Sequence, residues 1–161
     1  MSTDLSDLIA ALETEASALI LPAFTEVDAL ALGQALVATG LARNLPIVIN
    51  IRSPNRTYFH AALPGSSPLN DHWARRKSNT ALMFHAASFL VGKRNLAKGG
   101  SLAANGLDPD THADHGGAVP VVVAGVGLVA VATVSGLPSA EDHALVVAAL
   151  KDARARATPT A

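Results

Sequence analysis

Residues 116–138 carry no charged side chain. A run of that length leaves a chain two options: a helix across a bilayer, or strands buried in a sheet. Valines at 119, 121, 122, 123, 126, 129, 131 and 134 favour strands, because branching at Cβ packs well on a pleated surface. Pro120 stands inside the run, and Gly125 and Gly127 punctuate its middle. We read two buried strands joined by a tight turn. Alternate positions Ala130 and Ala132 are small, which suits a helix packed closely on that face. Ser135, Gly136, Leu137 and Pro138 then form a turn into a helix capped at Ser139, with Asp142 in the N3 position.

The rest of the chain alternates helices with one more hairpin. Leu5, Leu8, Ile9, Leu12 and Leu19 line one face of a first helix, with Asp7, Glu13 and Glu15 toward water. A second helix starts at Thr25, capped with Asp28, and runs to about residue 41. Residues 47–52 form a strand with Ile47, Ile49 and Ile51 on one face and Val48, Asn50 and Arg52 on the other. Ser53-Pro54-Asn55-Arg56 turns it into a returning strand over residues 57–63. The spacing predicts one long helix, capped at Asn70 or Asp71 and running to about Lys98 before Gly99-Gly100, with residues 81–91 buried on almost every side. The last helix ends near Arg156. This order predicts an α/β (α+β) architecture: a mainly antiparallel sheet of four to five strands, with helices packed on its faces. Residues 1–157 read as a single domain and 158–161 as a frayed tail.

Composition narrows the function. Twelve Lys and Arg balance 13 Asp and Glu with no long run of either sign, which argues against a nucleic-acid binder of the basic-patch kind. The chain has no cysteine, so disulfides, thiolate metal sites, iron–sulfur clusters and cysteine nucleophiles are excluded. Its start, Met1-Ser2-Thr3-Asp4, lacks the basic residues of a secretion signal, so we expect a cytoplasmic protein without a membrane segment. With half of 161 residues apolar, we also expect a homo-oligomer, at least a dimer.

Chemistry-bearing residues concentrate at the start of the long helix. Gly65, Ser66 and Ser67 precede Asn70, Asp71, Trp73, Arg75, Arg76 and Lys77. Unpaired helix N–H groups, two hydroxyls and the Arg76/Lys77 pair together describe a cradle for a small anion, with Trp73 adding a flat apolar surface. Residues 73, 76, 77 and 80 share one side of the helix. The connector 110–115 is rich in His and Asp, yet its spacing matches no metal motif, and no metal site is assigned. Within it, His115 directly precedes Gly116 and Gly117, which let backbone approach a ligand or neighbouring subunit closely. His85 sits in the apolar half of the long helix.

These segments carry a resemblance. The runs 63–68 and 70–71 with Trp73, the 75–77 turn, Phe84-His85 with Ser88, and His115-Gly116-Gly117-Ala118-Val119-Pro120 are similar to the haem-degrading domain family of HbpS/GlcG-like proteins, as are 134–138 and 141–143. The resemblance implies a profilin-like fold that assembles into oligomers, and a family with haem-binding and haem-degrading members. The Gly116-Gly117-x-x-Pro120 element looks like the wider family's signature, whereas the 64–67 loop and the Trp73 region look particular to this branch.

Three functions stand open. The first is binding of haem or a similar anionic ligand, with Arg76 and Lys77 meeting carboxylates and His85 or His115 ligating iron. The second is an enzyme on a small anionic metabolite, with the Ser66/Ser67 loop as cradle and a histidine as acid or base. The third is a non-enzymatic assembly protein. No catalytic residue is assigned.

Overall fold

A computed structural model describes residues 2–157, so the tail expected at 158–161 lies outside the described residues. The elements are α1 (Thr3–Ser17), α2 (Glu26–Ala42), β1 (Val48–Arg52), β2 (Thr57–Ala62), α3 (Pro68–Phe84), α4 (Ser88–Lys98), a 3-10 turn at Ala103–Asn105, β3 (Ala118–Val123), β4 (Gly127–Ser135) and α5 (Ser139–Ala157). The strands form one antiparallel sheet in the order β2-β1-β4-β3. This is the expected architecture with four strands. Residues 116–138 supply β3 and β4, and no described helix is long and apolar enough to cross a membrane.

Period-two alternation assigns the two faces. Ile47, Ile49, Ile51, Val119, Val121, Ala130, Ala132 and Val134 are buried in the main core with Leu12, Leu32, Leu36, Val146 and Leu150. The helices on that face are α2 and α5. On the opposite face α3 packs over Ala118 and Val131 through Ala81. Helices α1 and α4 pack against each other at the β3 end of the sheet. The Thr25–Asp28 capping box forms as the sequence implies, with the Thr25 N–H donating to Asp28 Oδ2 at 2.7 Å.

The long helix is corrected in two ways. It starts at Pro68 with Ser67 as N-cap, and the Ser67 N–H donates to Asn70 Oδ1 at 2.9 Å. Proline lacks the N–H that a first-turn residue leaves unpaired anyway, so it opens the helix before Asn70. The helix also breaks after Phe84. His85 takes a left-handed conformation (φ 51°, ψ 39°), and the chain restarts as α4 at Ser88. The break lets Ser88 Oγ accept the Ala118 N–H at 3.1 Å on the edge of β3. Residues 81–91 are therefore not buried all round: Met83 is 57% exposed, and His85 faces solvent.

Candidate functional site

The loop before α3 is closed on itself. Gly65 has φ +90°, and a Cβ there would stand 2.9 Å from Pro46 Cβ, so the turn needs glycine. Ser66 Oγ donates to the Leu63 carbonyl at 2.6 Å. Asp71 is drawn to β2, with its Oδ1 2.7 Å from His60 Nε2. Ser66 spends its hydroxyl proton on the turn, and Ser67 and Asn70 cap the helix.

Arg76 and Lys77 do not form one anion clamp, because successive helix residues point about 100° apart. Arg76 turns outward. Its Nε and Nη2 donate to the Pro109 carbonyl at 3.0 and 2.7 Å, and its guanidinium lies 4.4 Å over the Trp73 ring. Lys77 turns inward and is buried. Its Nζ donates to Gly116 O at 2.9 Å, Val134 O at 3.0 Å and Asp142 Oδ2 at 3.1 Å. Three acceptors match the three donors of an ammonium group. Asp142 also accepts the N–H groups of Gly136 and Leu137 at 3.2 and 3.0 Å. Burial pushes the Lys77 ammonium down from 10.5 and the Asp142 carboxyl up from 3.8, while each charge opposes the other's shift.

The two glycines after His115 serve this pair. A Cβ on Gly117 would lie 2.7 Å from Lys77 Nζ and 2.3 Å from Val134 O, and one on Gly116 would lie 2.2 Å from Ser139 O. The close approach expected there is thus made within the chain, to Lys77 and the start of α5.

Asn70, Trp73, Lys77 and His115 converge on one cleft of about 220 Å³, completed by Ser135, Gly136, Leu137, Ser139 and Asp142. The His115 ring meets Trp73 edge-on at a centroid distance of 4.9 Å. Its side chain is 59% exposed, and the nearest acid, Asp114, stands 4.0 Å away. The cleft therefore carries an exposed imidazole and an indole over a floor of compensated charge, and the Arg76 guanidinium lies on the Trp73 ring outside its lining. Gly65, Ser66 and Ser67 do not line this cleft. Among the described residues no three His, Asp or Glu side chains gather to hold a metal ion.

His85 belongs to a different cavity, bounded by α1, the α3–α4 elbow, the edge of β3 and α5. Glu15 and His143 also line it, with Glu15 Oε1 2.7 Å from His143 Nε2. Sequence reasoning missed three residues across the two cavities, Asp142 in the first and Glu15 and His143 in the second. Asp142 reads as a helix cap, Glu15 as a solvent-facing acid of α1, and His143 only as part of the run 141–143. Only the 65-residue separation between Lys77 and Asp142, closed by the fold, reveals the first pairing.

Residues 24–151 match the sequence model of the family described as haem degrading protein HbpS-like. A UPF0303 protein of Streptomyces coelicolor is 49% identical over 89% of this chain and 91% of its own length. The solved structure of Ybr137w protein superposes with a TM-score of 0.83 at 31% identity, covering 92% of this chain and 88% of that one. A crystal structure titled as a PduOC:Heme complex shares the fold with a TM-score of 0.66 at 20% identity, over 79% of this chain and 94% of that one. The extent of the family match and the Streptomyces relative's identity over nearly the whole chain place this protein in the HbpS-like haem-degrading protein family.

Proposed function

We propose that this protein binds a planar, carboxylate-bearing ligand at the Trp73–His115 mouth, with haem as the candidate that family membership offers. The observation that carries the reading is the exposed His115 imidazole set edge-on against Trp73, whose ring also carries Arg76. The residues fit haem at three points. Among the described residues His115 has only Asp114, 4.0 Å from its Nδ1, to compete for an iron ligand, Trp73 offers an apolar face, and Arg76 spends Nε and Nη2, not Nη1, on Pro109. When bound, haem would supply an iron centre. The cleft volume of about 220 Å³ is below the usual range for enclosed ligand sites, so the macrocycle would lie across the mouth. Lys77 stays with Asp142 and fixes the floor.

Haemin titrated into purified protein should give a sharpened Soret band. His115→Ala should lose it and His85→Ala should keep it, since His85 lies in the other cavity. An unchanged free-haemin spectrum at micromolar protein overturns the reading.

The assembly reading also has support. Val27, Leu30 and Leu41 on α2 are 73%, 46% and 52% exposed at near-helical spacing. Such a stripe on a surface helix suits a subunit contact. Light scattering should give at least twice 16.4 kDa. A monomer at tens of micromolar would refute the oligomer.

A further inference from the structure

The cavity at the β3 edge has its own chemistry. Its lining is apolar along Leu12, Ala16, Leu19 and Val119, and its volume is about 60 Å³, room for a small group and not for a macrocycle. Against this lining stand Glu15 and His143. The His143 side chain is only 8% exposed, and its Nδ1 is buried with no hydrogen-bond partner. A buried, unpaired imidazole nitrogen costs free energy unless something completes it.

The strand edge adds a further acceptor. Alternate residues of β3 direct their backbone groups away from β4. The Ala118 N–H is taken by Ser88 Oγ and the Val122 carbonyl by the Leu21 N–H. Pro120, between them on the same outward side, has no N–H, and among the described residues no N–H from outside the sheet ladder donates to its carbonyl. Pro120 also lines the cavity. A carboxylate and a carbonyl thus stand at a small apolar space, with the His143 ring on its wall.

Lys77 shows what such a set accepts in this protein. Its ammonium sits among one carboxylate and two carbonyls. The edge cavity offers a carboxylate and one carbonyl without an ammonium. Among the cavity's lining residues no lysine or arginine is present, so an anion would meet the Glu15 carboxylate with no fixed cation beside it.

We propose that this cavity is a second ligand site, separate from the Trp73–His115 mouth, and that it takes a short primary alkylammonium. The alkyl chain lies on Leu12, Ala16 and Leu19. The N–H groups donate to Glu15 and the Pro120 carbonyl, beside the His143 ring.

The test uses the full chain and n-butylammonium chloride, with sodium butanoate and sodium chloride at matched ionic strength. The readouts are the ring nitrogen resonances of His143 by NMR and the melting temperature. Butylammonium should shift the His143 resonances saturably and raise the melting temperature, and butanoate should do neither. Glu15→Gln should weaken the apparent Kd about tenfold or more, as loss of a charge-assisted hydrogen bond does. Ala16→Leu, which fills the cavity and keeps the Glu15–His143 pair, should abolish the response even if Glu15→Gln folds poorly. His115→Ala should leave it intact, so failure here and failure of haem binding are read separately. No saturable shift at His143, an equal response to butanoate, or full binding by Ala16→Leu overturns the proposal.

Discussion

Asp142 and His143 are consecutive residues on α5, yet they face two different sites. Asp142 turns to the cleft and completes a network with Lys77 in which every ammonium proton and both carboxylate oxygens have partners. His143 turns to the edge cavity and pairs with Glu15 through one nitrogen, while the other has none. A buried polar network that is complete rigidifies the structure around it, and one that is incomplete leaves a place for something else. The first pair ties α3, β4 and α5 together. The second pair joins α1 to α5 through one hydrogen bond and leaves one ring nitrogen unpaired.

Breaking the complete pair should have the largest effect. Lys77→Met leaves the buried Asp142 carboxylate uncompensated and should cost about 3–5 kcal/mol in urea unfolding. The double replacement with Asp142→Leu should recover most of that loss, because an apolar pair needs no compensation. A double variant as unstable as the single would mean that the pair is not what Lys77 supplies.

Gly117→Ala tests the same network from the backbone. The residue has φ +136°, and the added methyl would press on Lys77 Nζ at 2.7 Å and Val134 O at 2.3 Å. The combined backbone and packing cost should be about 3 kcal/mol, read as a lower melting temperature.

The pH dependence sharpens the comparison further. Asp142 has its folded pKa raised above 3.8 by burial. Between 3.8 and that raised value, the folded state holds a proton that the unfolded chain has released. The contribution of this carboxyl to stability is therefore present below the window and declines as pH rises through it. Asp142→Asn, which cannot titrate, should show a flatter stability curve over that window. Urea midpoints measured across the acid range check the sign, and identical slopes for parent and variant would contradict it.

The incomplete pair should matter least to stability. Glu15→Gln keeps an acceptor for the His143 ring and removes only the charge from a single hydrogen bond at the rim of α1, and its cost should be about 1 kcal/mol. A loss as large as that of Lys77→Met would erase the contrast between the pairs.

Much of the fold was legible in the residues. The valine run, with Gly125 and Gly127 in its middle, specifies two strands through local sterics alone, and they appear at 118–123 and 127–135. The alternation of Ile47, Ile49 and Ile51 specifies the face that meets the main core. The break at His85 was not legible, because neither glycine nor proline announces it. It is set by the docking of Ser88 on the edge of β3, a contact between segments 30 residues apart. At the candidate site, Trp73 and His115 were recognised as chemistry-bearing residues, but their meeting at 4.9 Å was not. Arg76 and Lys77 were read as one basic turn, and the helix divides them between water and core.

What the sequence determined by itself is therefore what neighbouring residues can enforce: the strand pairs, the Thr25–Asp28 cap, and the family resemblance carried by those runs. The tertiary structure alone decided where the charges went. Lys77 is buried because the antiparallel order β2-β1-β4-β3 brings Val134, Gly116 and Asp142 around its amine. Glu15 leaves the solvent face because α5 delivers His143 to it across 128 positions. Caps and periodicities act over a few residues and can be read in line, whereas the compensation of a buried charge depends on partners that only the closed chain brings within 3 Å or so of one another.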